Sequence, residues 1–239
     1  MNQLFLNRIR LNKADIDPRR YPFNIRCLQG FDELTIDHPV TFLYGENGVG
    51  KSTLIEAVAI ALGMNPEGGS DNMRFSSYDD YSELYRHLTL GRFGRPRTKF
   101  FLRAESFYNV ATDISNNGDL VQTTYGGEDL HACSHGESFL KLVEHRFWDK
   151  GLYLLDEPES ALSPQRQMTL LCHIHQLAAK GSQFLIATHS PILLSYQYGQ
   201  ILDLNHQMQP VRYEDTDVYR IYMDFLNNPY GMQKVLFDE

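Results

Sequence analysis

Apolar positions along the chain fall into two patterns. The first is a set of short unbroken runs: Val40-Thr41-Phe42-Leu43-Tyr44, Leu152-Tyr153-Leu154-Leu155 and Phe184-Leu185-Ile186-Ala187. Segments of helical period accompany them. Leu54, Ile55, Val58, Ala59 and Leu62 share a face until Gly63, and Phe139, Leu140, Val143 and Phe147 do so between Gly136 and Trp148. Met168, Leu171, Ile174, Leu177 and Ala178 predict the inward face of a helix from Pro164 to Lys180, with Gly181 as its stop. Strands without alternation, followed by helices, predict a parallel sheet covered on both faces.

The second pattern is weaker. Residues 4–10 alternate, and Ile25 to Ile36 carries strand-like pieces broken at Gly30, which together predict a β-rich N-terminal layer. Met64 to Asp80 reads as a loop, Tyr81 to Leu88 as weakly helical, and Lys99 to Tyr108 as a strand. Arg92, Arg95, Arg97, Lys99 and Arg103 read as a solvated hairpin turning near Arg92-Phe93-Gly94-Arg95, or as a nucleic-acid strip. The overall acidity favours the hairpin. From Tyr219 an amphipathic helix carries Ile221, Tyr222, Phe225 and Leu226, and ends at Asn227-Asn228-Pro229.

Composition narrows the class. The 239 residues suffice for one large domain, and a net charge of −8 argues against a broadly basic nucleic-acid surface. Three scattered cysteines, Cys27, Cys133 and Cys172, suit a reducing cytoplasm better than a disulfide scaffold. The N-terminus lacks the apolar block of a signal peptide, and no apolar run approaches membrane-spanning length. The expected location is cytoplasmic, with another chain providing any membrane attachment. His131, Cys133 and His135 have no second ligand pair at metal-site spacing.

Chemistry concentrates at three strand ends. Gly45-Glu46-Asn47-Gly48-Val49-Gly50-Lys51-Ser52-Thr53 fits G-x-x-x-x-G-K-[ST] between a strand and a helix. Glycines let successive N–H groups wrap a polyphosphate, as side chains cannot. Asn47, Gly48, Val49, Gly50, Lys51, Ser52 and Thr53 are the expected nucleotide contacts. Lys51 would meet the β- and γ-phosphates, Ser52 would offer a hydroxyl to Mg²⁺, and the helix dipole would favour the same anion. Asp156, after the second run, suits the metal, and Glu157 is placed to take a proton from an attacking water. His189, after the third run, is placed to contact the γ-phosphate or orient the water. No N-K-x-D guanine signal occurs, which leans toward ATP.

The motif set resembles the ABC-type ATPases. Gly45–Thr53, Ser134-His135-Gly136-Glu137-Ser138, Leu152–Glu159, Ser160-Ala161-Leu162-Ser163-Pro164 and Thr188-His189-Ser190-Pro191 occur in the family's order. They look like its Walker A, signature, Walker B, D-loop and switch-histidine motifs. Gly-Glu-Asn-Gly and Thr-His-Ser-Pro look more like the RecF and SMC-type heads of DNA maintenance than like transporter subunits. The resemblance implies a P-loop α/β fold, a mostly parallel sheet flanked by helices, with an N-terminal antiparallel layer and a small helical subdomain. It implies one domain over 1–239, with 1–63 and 139–239 as core lobe and about 64–138 as the subdomain.

The resemblance also implies an ATP-dependent homodimer in which Ser134, Gly136 and Glu137 cap the nucleotide of the other copy, and in which Glu105, near the Q-loop position, touches the metal. His135 stands where the signature usually has glycine, and Glu137 where glutamine is common. The interval from Thr53 to Ser134 is too short for an SMC arm and carries no sustained heptads. The implied activity is Mg²⁺-dependent ATP hydrolysis coupled to DNA maintenance, repair or defence, through DNA or a protein partner. The alternatives are a transporter energy subunit, or a nucleotide-dependent switch with negligible turnover.

Overall fold

The computed structural model describes residues 4–66, 69–70, 82–104, 107 and 135–237. Among the described residues, ten strands form two sheets. β1 (Leu6–Leu11) pairs antiparallel with β2 (Glu33–Thr35) on one side and β5 (Leu88–Arg92) on the other. The larger sheet runs in the order β10 (Gln209–Val211), β9 (Gln200–Asp203), β3 (Val40–Tyr44), β8 (Gln183–Ala187), β7 (Leu152–Asp156), β6 (Lys99–Arg103), β4 (Gly69–Ser70). Its five inner strands are parallel, and the two edge strands are antiparallel.

Period-2 geometry sorts each parallel strand between two cores. In β3, Leu43 enters the core shared with the antiparallel sheet, while Val40, Phe42 and Tyr44 enter the core on the opposite face. α1 (Lys51–Ala61) lies in the first core, where Leu54, Ile55, Ala57, Val58 and Ala59 are buried beside Leu6, Ile9 and Leu154. α2 (His135–Arg146), α3 (Pro164–Ala179) and the single turn α4 (Pro191–Leu194) cover the other face. Both faces of the parallel sheet are therefore dry, which explains why its strands do not alternate. α5 (Asp217–Asn227) and α6 (Pro229–Leu236) close the described chain.

Three local readings need correction. β5 and β6 are not the arms of a hairpin: β5 pairs with β1, and β6 with β7 and β4. The half-exposed pattern of β5 suits an outer layer, whereas Phe100, Phe101 and Leu102 need burial on both faces. Met168 does not point inward but stands 52% exposed. Gln167 and Leu170 are buried instead, because the Gln167 amide donates to Leu162 O at 3.0 Å and accepts from Ser190 Oγ at 2.5 Å. A polar residue with both ends paired can take a core position, and the face turns by one residue. The weak helix at 81–88 is a 3-10 turn over Glu83–His87 that runs into β5. Most of the expected subdomain, 64–138, lies outside the described residues.

Candidate phosphate-binding site at the strand ends

β3, β7 and β8 are adjacent and parallel, so their carboxyl ends reach one edge of the sheet together. After β3 the chain turns through Gly45–Gly50 and starts α1 at Lys51. Gly50 has φ +109°, and a Cβ there would meet Cys27 Sγ and Ile25 Cδ1, both at 2.8 Å. Glycine is thus required by backbone conformation and by the residues beneath the loop. Asn47 and Gly48 are exposed, Val49 is buried, and Ser52 and Thr53 are half-buried in the first turn of α1. The unbonded N–H groups of that turn make this helix start favourable for an anion.

Lys51 is 4% exposed, and its ammonium donates to Gly45 O and Glu46 O, both at 3.1 Å. It also lies 2.5 Å from His189 Nε2. A charged ammonium has donors only, so with Lys51 protonated Nε2 accepts and the imidazole proton sits on Nδ1. Burial pushes the Lys51 pKa down, with Glu157 and Asp156 pulling it back up. Burial also lowers the His189 pKa, with the Lys51 charge adding to the effect. The His189 shift favours the neutral imidazole, whereas burial works against the Lys51 charge, which the ionised Glu157 and Asp156 help to hold.

Asp156 ends β7, 2% exposed, and Oδ1 accepts from Ser52 Oγ at 3.0 Å. A hydroxyl and a carboxylate in contact are hard oxygen donors of the kind that hold Mg²⁺ beside substrate phosphates. Among the described residues no group of three or more His, Cys, Asp or Glu is arranged as a metal cluster. Glu157 follows in the left-handed region at φ 47°, ψ 52°. A non-glycine residue there is strained, and its backbone is held by Glu157 N donating to Ala187 O and Ser160 N donating to Glu157 O. Its carboxylate stands 3.6 Å from His189 Nε2.

The structure thus brings Lys51, Ser52, Asp156, Glu157 and His189 together. Gly136 and Glu137 lie at the start of α2. Glu137 pairs with Arg166 of α3 at 2.8 Å, and a Cβ on Gly136 would meet Arg166 Nη1 at 2.7 Å and Ala161 O at 3.0 Å. Ser134 and Glu105 lie outside the described residues, as do His131 and Cys133.

Three site residues escaped the sequence reading. Arg103 ends β6 in register with Asp156; its Nε is 3.4 Å from Asp156 Oδ2, and its Nη1 donates to Glu56 Oε2 at 2.9 Å. Burial raises the Glu56 pKa, and Arg103 opposes that rise. Glu159 accepts from His189 N at 2.6 Å, while its Oε2 is buried without a hydrogen-bond partner. Desolvation raises the Glu159 pKa, against hydrogen bonds from the His189 backbone and the Thr188 side chain. Gln167 ties α3 to the switch loop through Ser190. Glu159 had a legible signal, an acid two residues beyond Glu157 and directly after a proline. Arg103 had none, because its partners come from β7 and α1.

A family model described as "AAA domain" matches residues 23–128. One described as "AAA domain, putative AbiEii toxin, Type IV TA system" matches 137–195. An uncharacterized ABC transporter ATP-binding protein of Haemophilus influenzae is 27% identical over 191 residues, covering 72% of each chain. ABC transporter G family member 22 of Arabidopsis thaliana is 26% identical over 174 residues, 64% of this chain but 23% of that protein. Among solved structures, the ATP binding subunit of an ABC transporter aligns at 16% identity and TM-score 0.48, over 92% of this chain and 99% of the other. The SMC head domain from Thermotoga maritima aligns at 14% and 0.43, over 83% and 95%.

Proposed function

We propose that this chain, which resembles the P-loop ATPases of the ABC and AAA kind, binds ATP at the strand ends and hydrolyses it to ADP and phosphate. The observation that carries this reading is the contact set linking Ser52 to Asp156 at 3.0 Å, Lys51 to His189 at 2.5 Å and His189 to Glu157 at 3.6 Å. The loop N–H groups and Lys51 neutralise the triphosphate and leave the γ-phosphorus open to in-line attack. Glu157 takes a proton from the attacking water as oxygen bonds to phosphorus and the bond to the β-phosphate oxygen breaks. His189, in reach of both Lys51 and Glu157, orients that water or the γ-phosphate. Mg²⁺, held by Ser52 and Asp156, would neutralise charge between the β- and γ-phosphates.

In the same reading Ser134, Gly136 and Glu137 of a second copy close over the γ-phosphate, so that ATP favours a dimer and hydrolysis releases it. The output is DNA maintenance, repair or defence, supported by the RecF- and SMC-like motifs and by the family description matched over 137–195. The transporter reading is kept because the Haemophilus relative is named as a transporter ATP-binding protein. No helix among the described residues is long and apolar enough to cross a membrane.

Glu157→Gln tests the mechanism. We expect kcat to fall by about 10²–10⁴, the range for losing a general base, with ATP affinity retained. The readouts are steady-state phosphate release and equilibrium ATP binding. Equal turnover in variant and wild type would remove Glu157 from the role. Turnover with and without linear DNA, beside pull-down from a membrane fraction, separates the DNA-linked reading from the transporter reading.

A further inference from the structure

Glu159 sits two residues beyond Glu157, in surroundings that packing alone does not explain. It belongs to the 3-10 turn Pro158–Ala161, which starts from the left-handed Glu157. Its Oε1 accepts from the peptide N–H of His189 at 2.6 Å, across 30 residues of chain, and so links the end of β7 to the end of β8. Its Oε2 is buried with no hydrogen-bond partner. A buried carboxyl with one oxygen unpaired costs stability, so the bond made by the other oxygen needs a reason beyond holding the fold together.

The reason lies in where His189 has to be. Its neighbours in the switch loop have anchors of their own. Thr188 N donates to Leu43 O of β3 at 3.2 Å, and Ser190 Oγ donates to Gln167 Oε1 of α3 at 2.5 Å. The N–H of His189 goes to Glu159 instead. A backbone donor bonds a carboxylate more strongly than a neutral acceptor, which suits the fixing of one peptide plane. The imidazole hanging from that peptide stands 2.5 Å from Lys51 Nζ and 3.6 Å from Glu157 Oε1. A displacement of about 1 Å is enough to break such contacts. The turn that carries Glu157 thus also carries the group that fixes His189.

We infer that Glu159 is a positioning residue for hydrolysis: through the His189 peptide it holds the imidazole between Lys51 and Glu157. It acts as an acceptor and exchanges no proton with the substrate. Its effect on turnover rests on the hydrolytic reading above, whereas its hold on His189 does not.

The test uses the full chain and two readouts. The first is ATP turnover beside equilibrium ATP binding. Glu159→Ala, and Glu159→Met, which fills the space but offers no oxygen, are each expected to lower kcat by about 10- to 100-fold, the scale of a misplacement of about 1 Å. ATP affinity should stay within about 3-fold of wild type, since the loss is confined to the transition state. Glu159→Gln retains an acceptor and is expected to bring kcat back to within about 3-fold of wild type. In a His189→Ala background, removing Glu159 should change kcat by less than about 2-fold, because residues acting through one group are not additive.

The second readout is the proton–nitrogen correlation spectrum of the histidine side chains without nucleotide, with His189 identified by its loss in His189→Ala. Wild type and Glu159→Gln are expected to show His189 protonated at Nδ1, and the Ala and Met variants a mixture of both tautomers. A His189 signal unchanged in the Ala and Met variants overturns the inference. So does a Gln variant as slow as Ala, or a loss of kcat that persists in the His189→Ala background. Loss of the wild-type near-UV circular dichroism in both Ala and Met also overturns it, since a structural role would then suffice. A wild type that binds ATP without turnover removes the hydrolytic reading alone, and the spectra still decide whether Glu159 holds His189.

Discussion

α1 and α5 are both 11 residues long, yet one disappears into the protein and the other stands in water. α1 is apolar nearly all round, and its flanks meet the antiparallel sheet on one side and the parallel sheet on the other. α5 has the sharper division of apolar and polar faces, and beyond Val218 and Tyr219 of its first turn, both half-buried, it stays exposed. The contrast separates two properties that sequence patterns blend. A one-sided apolar stripe says that a helix needs one surface, whereas an all-round apolar helix says that it has several. The first leaves open which molecule supplies that surface. The second places the helix in an interior, and here that interior fixes Lys51 and Ser52 at the helix start.

The comparison breaks most easily at α1. Leu54→Ala, at a fully buried site, should lower unfolding stability by about 2–5 kcal/mol in a urea titration. A loss below about 1 kcal/mol would mean that α1 is not the packed centre described here. Gly50→Ala should cost about 1–3 kcal/mol, since the new methyl meets Cys27 and Ile25 at the loop's base, and should weaken ATP binding alongside.

A smaller effect concerns protonation at the strand ends. The folded-state pKa of His189 lies below its ordinary value of 6.5. Between those two values the unfolded chain binds more protons, so stability rises with pH through that window and falls as pH drops below 6.5. His189→Gln should flatten that part of a melting-temperature profile. The folded-state pKa of Glu159 is raised, so the sign reverses: ionising it costs stability as pH rises past its ordinary value of 4.5. Glu159→Gln keeps an acceptor for His189 N and should melt higher than wild type at pH 7 but not at pH 4. At the small end, Leu226→Glu should change the unfolding free energy of the body by less than about 0.5 kcal/mol.

Much of the fold could be read in advance because its strongest signals are local. Three apolar runs, each too short for a helix and bounded by turn residues, became β3, β7 and β8 in adjacent register. The loop at Gly45–Thr53 announced both its conformation and its chemistry, since few other uses require glycine, lysine and serine at those intervals. The sequence did not show that the basic residues from 92 to 103 divide between two sheets. Arg92 bonds to Ala61 O, and Arg103 to Glu56. Each is defined by a partner far away in the chain.

What the chain determines alone is the set of strand ends that must carry chemistry, because apolar runs have to be buried and the polar residues that end them have to surface. What only the tertiary structure decides is which of those ends are neighbours. β8 lies between β3 and β7, so His189 reaches Lys51 and Glu157 reaches His189, although these residues are far apart in sequence. Arg103 and Glu159 join the site through the same pairing, and α5 is left outside it. Local sequence sets what each segment must do with water, and the strand order sets which segments meet.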